Sequence, residues 1–184
     1  MDENEILLRD GFGVSALILD LARQIEAGRT KHAPLVLVGV KTRGVPIAQR
    51  ISEILRETEP DDVLVGAVDI TLYRDDLGKT DHWPVLKGTE IPFPIDGAEV
   101  ILIDDVLFTG RTVRAALNCI CDLGRPSAVR LAVLVDRGGR ELPIRADYVG
   151  LEVATRAGER VKVRLRPIDN SDEIVRSSSS VSRP

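Results

Sequence analysis

The chain has 184 residues, 43% of them apolar and 29% charged, which suits one globular domain with a real core and excludes disorder and collagen. No run approaches 18 uninterrupted apolar residues, the acidic opening MDENEILLRDG does not read as a secretory leader, and two cysteines make no disulfide framework. Aromatic residues at 3% leave little for stacking single-stranded nucleic acid.

The net charge of −4 is unevenly spread: residues 1–110 hold 20 acidic and 11 basic side chains, residues 111–184 hold nine and 14. A basic C-terminal half allows a surface for phosphate or RNA, or simply solvated arginines on several faces.

In chain order, Val14, Leu17, Ile18, Leu21 and Ile25 recur at three- and four-residue steps, which predicts a helix stopping near Gly28. Leu35 to Val40 is a continuous apolar run, as in a strand buried on both faces. Ile47, Ile51, Ile54 and Leu55 predict a second helix ending before Pro60, and Val63 to Tyr73 a strand. Arg74 to Asp96, with two glycines and three prolines, reads as a long functional loop. Val100 to Asp105 predicts another buried strand and Arg111 to Leu123 a helix closed by Gly124 and Pro126. Strands follow at Ala128 to Val135, Asp147 to Gly150 and Val161 to Leu165. Residues 1–176 read as a single domain and 177–184 as a low-complexity, disordered tail.

Strands alternating with helices imply an α/β fold, a mainly parallel central sheet flanked by helices. Ligands of such sheets bind beyond the carboxyl ends of the strands. Asp104 and Asp105 stand at one such end, followed by Val106, Leu107, Phe108, Thr109, Gly110, Arg111 and Thr112. Gly110 lets backbone approach a ligand, and free N–H groups at the helix start, with the two threonine hydroxyls, make a cradle for one phosphate. Carboxylates suit ribose hydroxyls, so the segment describes a site for a phosphorylated pentose. An N-capped helix with turn aspartates is the blander alternative, disfavoured because unpaired buried carboxylates are costly. Lys41, Thr42, Arg43 and Gly44 also end a buried strand, with Pro46 suited to the first turn of the next helix.

Cys119 and Cys121 lie two apart on a predicted helix and face different ways, so a reduced structural role is expected. His32 and His82 make neither a metal site nor a triad, and Trp83 either anchors the long loop or lies on the surface.

VILIDDVLFTGRT (100–112) resembles the phosphoribosyl pyrophosphate (PRPP) signature of type I phosphoribosyltransferases. VGVKTRGVPIAQRI (38–51), DITLYRDDL (69–77) and LAVLVDRGGRELPIRADYVG (131–150) resemble the bacterial PyrR family, pyrimidine operon attenuators that also act as uracil phosphoribosyltransferases. The resemblance covers about residues 14–168. It implies the type I phosphoribosyltransferase fold with a small hood from the C-terminal segment, and UMP and pyrophosphate made from uracil and PRPP. Asp104, Asp105 and Arg74 are then catalytic, and residues 106–112 hold the 5′-phosphate. Lys41 to Gly44 bind pyrophosphate, with a strained peptide in that loop. Tyr73, Arg74, Asp75 and Asp76 open a flexible loop that folds over the site and excludes water. Asp136, Arg137, Arg160, Val161, Lys162 and Val163 lie near the base.

Mg²⁺ is expected to ride on PRPP oxygens rather than on side chains alone. The resemblance also implies a cytoplasmic homodimer or higher homo-oligomer that binds pyrimidine leader mRNA under uridine-nucleotide control, through basic residues such as Arg23, Arg140 and Arg145. Gly139 stands where the family has histidine, and Leu151 where lysine is common. Fewer cations mean weaker RNA affinity. Another base, such as hypoxanthine or orotate, or a UMP-sensing RNA regulator with little catalysis, are the competing expectations.

Overall fold

Leu35–Val40 forms strand β2, and all six of its residues are buried, as befits a strand covered on both faces. The computed structural model describes residues 5–30, 33–57, 63–70 and 88–178. In it β2 pairs in parallel with β3 (Val63–Val68) and with β4 (Glu99–Leu107). Strands β5 (Ala128–Asp136) and β6 (Tyr148–Glu152) complete a five-stranded sheet of order β3-β2-β4-β5-β6, parallel throughout.

The alternation of side chains along β2 and β4 feeds two separate cores. Leu35, Leu37, Ile101 and Ile103 pack with Ile18, Leu21 and Ile25 of α1 (Gly11–Gly28) and with Ile47 and Ile51 of α2 (Gly44–Arg56). Val36, Val38, Val100 and Leu102 pack with Val113, Ala116 and Ile120 of α3 (Arg111–Leu123). The helix α1 begins at Asp10, whose carboxylate accepts the Gly13 N–H at 2.9 Å, an N-cap that satisfies one orphan donor.

A second, antiparallel sheet of order β1-β8-β7 is built from β1 (Glu5–Arg9), β7 (Glu159–Arg164) and β8 (Glu173–Ser178). This is the expected hood, with a correction. The N-terminal strand β1 forms its edge, so the C-terminal segment does not build it alone. Strand β8 also claims Ser177 and Ser178 from the expected tail, because they pair with Glu159 and Arg160. Residues 179–184 lie outside the described residues.

The strand expected over Val63 to Tyr73 ends at Val68. Of the long loop that follows, residues 88–96 are described. There Glu90 exchanges backbone hydrogen bonds with Ala67 at 2.9 and 2.8 Å. Among the described residues no helix is long and apolar enough to cross a membrane.

Candidate active site

The parallel strands end on one edge, and backbone bonds tie their exits together. Lys41 N–H donates to Val68 O at 2.9 Å, and Arg137 N–H to Leu107 O at 3.1 Å. The segments 41–44, 104–112 and 136–140 therefore share that edge.

Strand β4 was expected to end at Asp105. It continues to Leu107, because Val106 and Leu107 pair with Val135 and Asp136 of β5. The two carboxylates therefore emerge within the strand, where the alternation is interrupted, since Val106 packs with the core of Ile103 and Leu107 with that of Leu102, and the two carboxyl groups meet side chain to side chain. Asp104 is 5% exposed. Asp105 is partly exposed, and the Arg43 charge reaches it. The Asp105 N–H donates to Asp104 Oδ1 at 3.0 Å. Burial, and then the Asp105 charge, hold the Asp104 carboxyl well above the usual carboxylate range. Burial also raises Asp105, against the pull of Asp104 and of the Arg43 guanidinium.

The turn into α3 depends on Gly110, whose φ of +92° is left-handed and favours glycine. No side chain caps this helix. The Arg111 N–H of its first turn donates to Thr109 Oγ1 at 3.4 Å, and this turn lies at the positive end of the helix dipole, which suits an anion. Thr109 O accepts the N–H groups of Glu141 and Leu142 at 3.0 and 3.2 Å, which fixes the turn to the segment after β5. Arg111 is engaged elsewhere: it pairs with Glu141 Oε2 at 2.8 Å. Val106 and Leu107 belong to the core, and Thr112 is partly buried. Phe108 is 43% exposed, with the Arg137 guanidinium 4.0 Å above its ring, a cation–π arrangement.

Across the edge, the loop Lys41–Gly44 lies directly on β4. A Cβ on Gly44 would sit 2.3 Å from Ile103 O, and one on Gly39 would sit 2.5 Å from Val45 Cα. Only glycine permits this approach. The Lys41–Thr42 peptide is cis. Thr42 is exposed. Lys41 Nζ pairs with Glu90 at 2.7 Å, and Arg43 makes a two-point bond to Asp169 at 2.9 and 2.8 Å.

Asp136 pairs with Arg140 and accepts the Gly138 N–H at 2.9 Å. Arg137 donates to Thr155 Oγ1 and, at 2.7 Å, to Glu159 O at the start of β7. Burial, and then the Arg160 charge, lower its pKa. In β7, Val161 and Val163 are buried while Arg160 and Lys162 are exposed, and Lys162 Nζ pairs with Glu5 at 3.0 Å. Of the three cations expected to face RNA, Arg23 and Arg145 are exposed. Arg140 is spent internally on Asp136, Phe108 O and Ile144 O. Tyr73, Arg74, Asp75 and Asp76 lie outside the described residues, as do His32, His82 and Trp83.

Glu5, Glu90 and Asp169 escaped sequence reasoning. Each is a partner of an expected site cation, and none carries a local motif that would announce it.

The phosphoribosyl transferase domain family matches residues 11–163. A protein of Pelotomaculum thermopropionicum named bifunctional protein PyrR is 50% identical over 174 residues, covering 95% of each chain. The chain belongs to the PyrR family of phosphoribosyltransferases. A second PyrR protein, from Desulfosudis oleivorans, is 52% identical over 90% of this chain and 92% of its own. Among solved structures, a hypoxanthine phosphoribosyltransferase from Trypanosoma cruzi superposes with a TM-score of 0.74 at 21% identity, covering 100% of both chains. A hypoxanthine-guanine enzyme from Bacillus anthracis gives 0.71 at 19%, over 96% of this chain and 99% of its own. These likenesses show the type I phosphoribosyltransferase fold.

Proposed function

We propose that this PyrR-family phosphoribosyltransferase makes UMP by transferring the phosphoribosyl group of PRPP to uracil, and that it binds pyrimidine leader mRNA to promote attenuation. One observation carries the catalytic reading. The carboxylates of β4, the uncapped start of α3 and the loop 41–44 meet at one edge of the parallel sheet. A uracil nitrogen forms a bond to the anomeric carbon as the bond from that carbon to pyrophosphate breaks, and the proton of that nitrogen passes to solvent or to the departing pyrophosphate. Asp104 and Asp105 hold the ribose and stabilise the positive charge that develops on the sugar. The α3 N–H groups, with Thr109 and Thr112, take the 5′-phosphate. Lys41 and Arg43, with Arg74 from the loop over the site, neutralise the departing pyrophosphate. Asp136, Arg137 and the segment 160–163 flank the base.

Mg²⁺ fits this donor set. Asp105 is a partly exposed carboxylate at the edge. Such a site suits a cation held mainly by substrate oxygens. The ion supplies charge neutralisation to the pyrophosphate.

The chain through Ser178, the end of β8, serves as one domain including the hood, in a cytoplasmic homodimer or larger homo-oligomer. Cys119 and Cys121 are thiols rather than a disulfide, in agreement with a reducing compartment. Phe12 of α1, 89% exposed, agrees with a face covered by a further subunit.

The test is UMP formation from uracil, PRPP and Mg²⁺, run beside hypoxanthine and orotate. UMP as the one nucleotide formed supports the reading. Faster turnover of another base transfers the assignment to that base. Nucleotide binding without turnover leaves a UMP-sensing regulator.

A further inference from the structure

The Arg43 guanidinium is not free in its loop. Asp169 Oδ2 accepts from Arg43 Nε at 2.9 Å, and Asp169 Oδ1 accepts from Nη2 at 2.8 Å. The same Oδ2 accepts the Leu165 N–H at 2.8 Å, so the carboxylate is fixed to its own turn between β7 and β8. Two of the five guanidinium N–H donors are used, and three remain. Those three belong to a group whose charge is felt by Asp105. Arg43 therefore lies between the hood turn and the carboxylate pair. Its side chain is 35% exposed and that of Asp169 19%.

A second pair in the same turn offers a contrast. Asp172 accepts from Arg50 at 2.7 and 3.2 Å and from the Arg166 N–H at 2.7 Å. Arg50 lies within α2, two helical turns beyond Arg43, away from the loop. The chemistry of the two pairs is alike, but only one reaches the site.

We propose that Asp169 is a positioning residue: it holds the Arg43 guanidinium with three donors presented to pyrophosphate, and so joins the base-binding hood to the pyrophosphate loop. The inference rests on the reading of residues 41–44 as the pyrophosphate loop. Without Asp169, Arg43 keeps its charge but loses its fixed orientation, so ordering it on binding costs side-chain entropy. A long exposed arginine in water gives up much of its attraction for an anion in this way. UMP carries no pyrophosphate, so its affinity does not depend on this pair.

Calorimetric titration of the full chain with pyrophosphate plus Mg²⁺, and separately with UMP, tests this in Asp169→Asn, Asp169→Glu, Asp172→Asn and Arg43→Ala, with a melting curve for each. The expected result is about tenfold weaker pyrophosphate binding in Asp169→Asn, with UMP affinity within about twofold of wild type and partial rescue in Asp169→Glu. Asp172→Asn lowers the melting temperature but leaves pyrophosphate affinity within the same margin. If Asp169→Asn weakens both ligands equally, or leaves pyrophosphate binding unchanged or tighter while Arg43→Ala weakens it, the positioning role is overturned. If Arg43→Ala itself leaves pyrophosphate binding intact, the assignment of the loop fails instead.

Discussion

Asp105 donates its backbone N–H to the carboxylate of Asp104 at 3.0 Å, and the two carboxyl groups also meet side chain to side chain. The strand continues two residues past them. Asp104 is the more deeply buried of the two, and the Arg43 charge reaches Asp105. Each meets a different environment from one dipeptide.

That relationship predicts a trade of stability for activity. Burial raises the Asp104 carboxyl above its unfolded value near 4. Between those two values the folded chain holds a proton that the unfolded chain has released, so the stability contribution of this group falls as pH rises through that window. At neutral pH an ionised Asp104 is destabilising. Asp104→Asn should raise the melting temperature by about 2–4 °C at pH 7, with the gain fading below about pH 4. It should also lower kcat on the order of 10²-fold or more. Thermal unfolding across pH, read beside UMP synthesis, checks both.

Gly110→Ala introduces a side chain at a φ of +92°. Its Cβ would meet Ile144 Cδ1 at 3.2 Å. We expect a stability cost of about 1–2 kcal/mol and a larger loss in UMP affinity than in pyrophosphate affinity, because the altered turn is the one proposed to hold the 5′-phosphate. Urea unfolding and calorimetry measure the two effects separately.

Glu99 tests the opposite end of the sheet. It is 1% exposed and accepts the Thr30 N–H and the Arg130 guanidinium, each at 2.6 Å. Burial raises its pKa, but those two donors overcome it and the net shift is downward. A lowered carboxylate contributes stability above its unfolded value near 4.3, and that contribution is lost as pH falls through the folded value. Glu99→Gln should cost about 1–3 kcal/mol in urea unfolding at pH 7, progressively less on acidification, and leave KM for PRPP unchanged.

The buried strands and the amphipathic helices were plain in the sequence, because Leu35–Val40 and the stripe Val14 to Ile25 carry one periodicity each. The segment 100–112 stood out as a candidate site for the same reason of local pattern, because acids inside an apolar run have few structural uses. Strand β1 was not legible: Ile6 and Leu7 are each 55% exposed, and EILLR shows no alternation. Strand β8 escaped because its pairing with β7, rather than its own side chains, orders the serines at its end. The ion pairs Lys41–Glu90 and Arg43–Asp169 span 49 and 126 residues, distances over which spacing carries no signal. The inward turn of Arg140 was hidden for a related reason, since Phe108 O lies 32 residues away.

The RNA reading predicts a split among three arginines. Arg23→Ala and Arg145→Ala together should weaken binding of a pyrimidine leader and reduce its salt slope by about two, with UMP synthesis intact. Arg140→Ala should disturb the segment 136–144, lowering the melting temperature and base affinity as well as RNA binding. Filter binding over a salt series, with and without UMP, distinguishes the two patterns.

A crystal structure with UMP tests the central claim most directly. The 5′-phosphate is expected within hydrogen-bond distance of the backbone N–H groups of residues 109–112, with the ribose hydroxyls on Asp104 and Asp105. A nucleotide bound at another edge of the sheet, with that turn and those carboxylates untouched, would contradict the account.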